Sequence, residues 1–309
     1  MPRPKPLDWL VLAGLVIAWG SAFGALKIAV HDIPPAWNTV IRLWVAAATL
    51  AVICAAGRTR VPPLLPRPHP AWGYYGLNGL IGMALPFFLF AYAAQGIPSA
   101  VNAICNGASP IFTAVLAHAL LRQERLGPRR FIGVLIGFVG LVVLVAPRLA
   151  EGAAVESLAL GAALTGAFLY AISNIVTRKA PPIASSAGAL IMCLTGALAA
   201  TMAAVALEAP MTLRPSAASL AAVIGLGVFP TAIAGVGYVF LIKRQGPVFM
   251  TMAIYLAPLW ATALGVLLLG ERPGWPAYTA LALILAGVAL ATTTRQPISA
   301  WVRRRTTQA

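Results

Sequence analysis

Hydrophobic positions along the chain fall into ten apolar runs, at 8–30, 35–57, 71–94, 98–121, 128–146, 157–177, 184–207, 216–242, 247–269 and 275–294. Each is close to the roughly twenty residues that cross a bilayer as a helix. Lipid offers no partner to a bare N–H or C=O, so each run is expected to be helical. The predicted fold is an all-α integral membrane protein of ten transmembrane helices. The fourth run carries polar marks at a helical interval: Pro98, Asn102, Asn106, Ser109 and Thr113 share one stripe. The ninth repeats the design with Thr251, Tyr255, Pro258 and Thr262. Both start at a proline (Pro98, Pro247), carry a second in mid-run (Pro110, Pro258), and end before an acid–arginine pair (Glu124-Arg125, Glu271-Arg272). Two such helices point to a duplicated protein with a polar internal path.

Composition narrows the class. Of 309 residues, 60% are hydrophobic and 9% charged, against about 25% charged in a soluble domain. The net charge of +15 would suggest nucleic acid in a soluble protein. Here position accounts for it, and no nucleic-acid partner is expected. Loops on one side hold 17 Lys and Arg and loops on the other hold 3, namely Arg148, Arg214 and Arg272. By the positive-inside rule both termini lie in the cytoplasm of a bacterial inner membrane. The first run continues from Leu7 to Val30 without a cleavage site, so it is read as a retained helix rather than a signal peptide. Cys54, Cys105 and Cys193 sit in separate runs, so no disulfide, metal or cofactor is expected.

The chain echoes itself around the loop Pro147–Glu156. Trp19 and Lys27 are eight apart, as are Tyr170 and Arg178, with Phe23 and Asn174 at the same i+4 place. Five runs precede the loop and five follow. An odd number per half makes the second half enter from the opposite face, an inverted repeat of the kind used by alternating-access carriers. The halves are expected at 9–146 and 158–294, with a basic cytoplasmic tail at 295–309. Runs three and eight match loosely, since Pro86 and Pro230 do not align without gaps. Gly133, Gly137 and Gly140 in the fifth run allow close helix contact, and the fifth and tenth runs read as outer scaffold.

At these motifs the chain resembles the EamA family of the drug/metabolite transporter superfamily. The resemblance rests on AWGSAFGALKIAV in the first run, the pattern around Pro35 and IRLWVAAATL in the second, and the paired stretches SPIFTAVLAHALLRQERL and APLWATALGVLLLGERP. One departure is that Pro110 to Glu124 spans fourteen residues and Pro258 to Glu271 thirteen. The resemblance implies a ten-helix carrier of small metabolites without ATP, most similar to bacterial exporters of aromatic amino acids. The expected partners are a small-molecule substrate and the lipid bilayer, and the chain is expected to be a monomer, with a dimer left open.

Candidate path residues follow from depth and chemistry. Asn102, Asn106 and Ser109 line the cavity or bond helix to helix, because an unpaired amide in hydrocarbon is costly. Trp19, Tyr75, Tyr92, Tyr170, Tyr238 and Tyr255 are expected to wall an aromatic pocket suited to apolar side chains and ammonium groups; ordinary packing or the interfacial belt is the alternative, and Phe23 is a further substrate-site candidate by its repeat position. Asn78, Asn174 and Thr251 add polar points. Arg42 lies about 10 Å deep at 1.5 Å per residue, so it should face inward, toward a substrate carboxylate or a loop carbonyl. Lys27 is expected to snorkel outward, and His118 to sit at the interface. Pro86, Pro98, Pro110, Pro230, Pro247 and Pro258 are candidate hinges, or kinks that shape packing. All seven acids lie at run ends or in loops, which predicts facilitated efflux rather than obligatory proton coupling. A membrane enzyme would need converging acids, bases or metal ligands, a channel a charged or carbonyl ring; neither pattern is seen.

Overall fold

The computed structural model describes residues 4–120, 127–150, 154–208, 214–245 and 247–292. Glu124, Arg125 and the tail 295–309 lie outside these residues. Among the described residues there is no strand, and ten helical rods follow one another. They are α1 (Pro6–Ala29), α2 (Pro35–Ala56), α3 (Ala71–Gly96), α4 (Ser99–Leu120), α5 (Pro128–Ala150), α6 (Ala154–Lys179), α7 (Ser185–Leu207), α8 (Ala217 to Gln245), α9 (Pro247–Leu268) and α10 (Trp275–Thr292). Seven are long and apolar enough to cross a membrane; the apolar stretches in α5, α9 and α10 are shorter. The molecule is therefore an all-helical, multi-pass membrane protein. Its one clear boundary shift is at mid-chain: α5 runs through Pro147 to Ala150 and α6 starts at Ala154, so the expected loop 147–156 shrinks.

Side-chain bonds fix which ends lie together. At one end, Arg244 Nε donates to Asp8 Oδ1 at 2.7 Å and Gln245 to Asp8 Oδ2 at 2.7 Å. Ser186 Oγ reaches Thr59 at that same end, at 3.5 Å. At the other, three carboxylates meet helix N-termini. Glu271 accepts from Ser99 N and Ala100 N at the start of α4. Asp32 accepts from Ser216 N, Ser216 Oγ and Ser219 Oγ at the start of α8. Glu208 accepts from Ala36 N in the first turn of α2. These N–H groups have no partner inside their own helices, and the helix dipole favours an anion there. The contacts make α2 antiparallel to α7, α1 to α8 and α4 to α9.

The packing is reciprocal. Helix α1 contacts α8 and α9, as α6 contacts α3 and α4; α2 contacts α8, as α7 contacts α3; α2 meets α7, α4 meets α9 and α5 meets α10. Small residues set the closest approaches. A Cβ on Gly287 would lie 2.5 Å from Gly133 O and 2.7 Å from Gly137 N, which seats α10 directly on α5. The largest core joins Leu26, Phe90, Ile104, Ile111, Leu226 and Ile284.

Hydrogen bonds to Asp32, led by Ser216 Oγ and followed by His31, hold its carboxyl well below the ordinary value of 3.8. A depressed folded value contributes stability above the ordinary one and loses it as pH falls through the folded one. Asp32→Asn should therefore melt below the parent protein at pH 7. The gap should persist down to about pH 4 and close only beneath it; a gap that closed near pH 6 would contradict the assignment.

Candidate functional site

Two departures from regular helix create the site. In α3, Leu80–Ala84 forms a π-helical turn just before Pro86. In α8, Gly227–Ile233 forms another that contains Pro230. A π turn frees backbone carbonyls and re-aims side chains, and such turns cluster at functional sites. The prolines that failed to align in sequence thus share one device, hidden because each turn absorbs an extra residue. A third break falls at Ala108, which divides α4 into Ser99–Gly107 and Ser109–Leu120. The predicted polar stripe therefore does not run along one continuous helix.

Carbonyls and hydroxyls of the α8 π turn are claimed from the first half of the chain. Trp19 Nε1 donates to Pro230 O at 3.2 Å, and the Trp19 ring lies 5.9 Å from Tyr238. Arg42 Nε donates to Thr231 Oγ1 at 3.0 Å, and its guanidinium stands 3.7 Å from the Phe87 ring centroid. At the α3 π turn, Asn78 Nδ2 donates to Thr177 Oγ1 on α6 at 2.6 Å. A Cβ on Gly82 would press on Ser173 of the same helix.

Three rings of the largest core pack into an aromatic wall. Phe23, Phe90 and Tyr170 come from α1, α3 and α6, with centroids 5.8 Å apart for Phe23–Phe90 and 5.6 Å for Phe90–Tyr170. Phe90 and Phe87 were missed in sequence because an apolar run conceals which of its rings face inward. Their i, i+3 spacing on a helix that also carries Asn78 was the available signal.

The other candidates fall out as follows. Asn102 is fully buried and donates to Phe90 O at 2.9 Å, so its amide N serves packing, while its Oδ1 and that of Asn106 have no hydrogen-bond partner among the described residues. Asn174 Nδ2 reaches Thr113 Oγ1 at 3.3 Å, and Thr113 bonds Ser109 O. Tyr75 packs against Gly188 of α7, away from the wall. Tyr92 is 40% exposed and joins no ring pair among the described residues. Thr251, Tyr255 and Pro247 belong to α9, but their side chains lie outside the described residues. Pro98 immediately precedes α4 and Pro110 stands in the first turn after the Ala108 break, whereas Pro258 is buried inside α9. Lys27 corrects the sequence expectation. It does not snorkel to water; its Nζ donates to Ala94 O at 2.6 Å and Ile97 O at 3.1 Å, because the C-terminal carbonyls of α3 offer a cation a nearer partner. A separate cavity of about 360 Å³ opens at the far end, lined by His31, Asp32, Gln95 and Arg214; it includes none of the predicted residues.

Known proteins align along this frame. The uncharacterized inner membrane transporter YedA of Escherichia coli (strain K12) is 27% identical over 284 residues, 91% of this chain and 89% of its own. The aromatic amino acid exporter YddG of Ancylobacter novellus is 29% identical over 264 residues, 84% and 88% of the two chains. A probable terminal-alkyne amino-acid exporter of Streptantibioticus cattleyicolor is 26% identical over 293 residues, 94% of each. A solved crystal structure with 23% identity superposes at a TM-score of 0.65 over 94% of this chain and 98% of the other, a likeness of fold. The EamA-like transporter family matches twice, over residues 8–146 and 154–293, and the chain belongs to that family.

Proposed function

We propose that this transporter exports amino acids with apolar or aromatic side chains by alternating access, without ATP. The single observation that carries this reading is the Phe23–Phe90–Tyr170 wall. It draws on both halves of the chain. Rings in edge and tilted contact offer apolar area and negative faces, which suit a hydrophobic side chain and an ammonium group. The relatives named as amino-acid exporters favour the same class.

In this reading all ten rods span the membrane as two inverted repeats, 9–146 and 158–294. The reciprocal contacts of α1–α5 with α6–α10 support it. The basic face, with both termini, is cytoplasmic, and one chain suffices for the path. Trp19, Phe23, Arg42, Tyr170, Tyr238 and Asn174 meet the substrate. Tyr75, Asn78, Tyr92, Asn102, Asn106, Ser109, Thr251 and Tyr255 border its route. Pro86 and Pro230 work as hinges with their π turns, Pro110 and Pro258 within helices, and Pro98 and Pro247 at helix starts. No acid lies mid-span, so export runs down the substrate's own gradient.

The test is counterflow of labelled amino acids in proteoliposomes. L-Phenylalanine and L-leucine should exchange saturably, and Phe23→Ala and Tyr170→Ala should each cut exchange about tenfold, with phenylalanine hit harder. A panel with no exchange would end the amino-acid reading. Uptake that follows an imposed pH gradient and is abolished by an ionophore would end the uncoupled one.

A further inference from the structure

Arg42 is a cation inside the bundle with no hydrogen-bonded or ion-paired acid among the described residues. It is 9% exposed. Of its five N–H donors, only Nε has a hydrogen-bond partner among the described residues, Thr231 Oγ1. That hydroxyl donates its own proton to Leu226 O at 2.7 Å, so an oxygen lone pair is left facing the guanidinium. Phe87 covers the guanidinium from one face. Its electrostatic neighbours are Tyr170 and Cys193, both uncharged at neutral pH by their ordinary values. The Asp8–Arg244 ion pair and the Asp32–His31 hydrogen bond involve other groups. Glu208, just past the end of α7, bonds Ala36 N. Ala36 is six residues before Arg42, about 9 Å along the axis.

An unpaired cation at this depth is costly unless an anion completes it. The two terminal amino groups form a planar fork that a carboxylate fills with two parallel bonds. The guanidinium stacks on Phe87 and is within electrostatic range of Tyr170, the end ring of the Phe23–Phe90–Tyr170 wall; Phe87 and Tyr170 belong to one packed cluster, and Phe87 and Phe90 are one turn apart on α3. An anion point and an apolar wall thus adjoin.

We propose that Arg42 is the carboxylate anchor of the transport site. The substrates are then small carboxylates with an apolar body, and Thr231, in the α8 π turn, is the positioning residue that aims the guanidinium. This rests on the export reading above and narrows it: neutral amides and cationic amphiphiles of the same shape are rejected. A hydroxyl is needed at 231 because it alone accepts from Arg42 while staying tied to Leu226 O.

The experiment uses the full chain in proteoliposomes. Counterflow of labelled L-phenylalanine is compared with that of L-phenylalaninamide and phenethylamine, for the parent protein, Arg42→Gln, Arg42→Lys and Thr231→Val. The parent should move phenylalanine about a hundredfold faster than either analogue. Arg42→Gln should lose that preference, Arg42→Lys should keep part of it, and Thr231→Val should raise KM for phenylalanine several-fold more than it lowers kcat. Size-exclusion profiles report folding. If Arg42→Gln does not fold, the acid-to-amide ratio of the parent decides. Equal rates for phenylalanine and its amide, or phenylalanine transport unaltered in folded Arg42→Gln, overturn the anchor while leaving export standing. Exchange of no compound at all overturns the export reading, and the anchor with it.

Discussion

Glu271→Ala should lower the melting temperature more than any other single carboxylate change at the far end of the bundle. Gly270, at φ 64°, turns the chain back after α9, and a glycine takes that left-handed conformation without strain. The reversal brings the Glu271 carboxylate to Ser99 N at 2.6 Å, Ser99 Oγ at 3.0 Å and Ala100 N at 3.2 Å. Gly265 leaves the space it occupies, since a Cβ there would collide with Glu271 Oε2. Lys27 lies within electrostatic range and holds the carbonyls of Ala94 and Ile97 just before the same turn. The α3–α4 turn is therefore gripped from both sides, by a cation at a helix C-terminus and an anion at a helix N-terminus. Removing the carboxylate orphans two backbone donors and leaves Lys27 without its counter-charge. A loss of about 2–4 kcal/mol is expected from charge-assisted bonds and a lost cap. Glu271→Gln, which keeps an acceptor of the same shape, should lose about half as much. Cys54, Cys105 and Cys193 are all buried and free, so a thiol-reactive dye reports unfolding directly. An alanine variant that melted with the parent would show the grip to be incidental.

Gly79→Leu should abolish folded protein. A Cβ at Gly79 would overlap the Thr195 hydroxyl, lie 2.5 Å from Met192 O and 2.8 Å from Gly196 N. Gly196 returns the contact, its Cβ position being 2.6 Å from Gly79 O. Helices α3 and α7 thus touch backbone to backbone one residue before the π turn, and backbone cannot swing aside as a flexible side chain does. Overpacking costs about 3 kcal/mol or more when only backbone can give way. Lipid supplies no hydrophobic gain to offset a separated pair. Gly73→Leu is the matched control on the same helix, because its Cβ meets nothing within 4 Å. Equal yields and melting temperatures for the two variants would refute the close contact.

Much of this protein is legible along one dimension. Sustained apolar runs exclude a soluble fold, and hydrocarbon leaves a spanning segment of this length only the helix as a way to satisfy its backbone. The paired proline-to-glutamate motifs are enough for the family resemblance, and the family match spans both stretches that carry them. Depth alone indicates that Arg42 faces inward, which its 9% exposure bears out. Partner choice is not legible. Asn102 reads as either a path-lining amide or a helix-to-helix bond, and only the structure names its partner, Phe90 O. Lys27 reads as a snorkelling cation, yet it closes a helix end sixty-seven and seventy residues away. The π turns leave no mark in the hydropathy pattern, and the kink at Ala108 interrupts a stripe that the 3.6-residue period alone would continue.

The sequence by itself determined the solvent of this chain, its helical state, its family and the asymmetry of its charge, because each follows from the chemistry of a residue summed over its own neighbourhood. The tertiary structure alone decided which polar groups are spent on packing, which rings form a wall, and that Arg42 bonds Thr231. Those outcomes depend on which helices come within hydrogen-bond reach, and at sequence separations such as the 189 residues from Arg42 to Thr231 no local pattern encodes that choice.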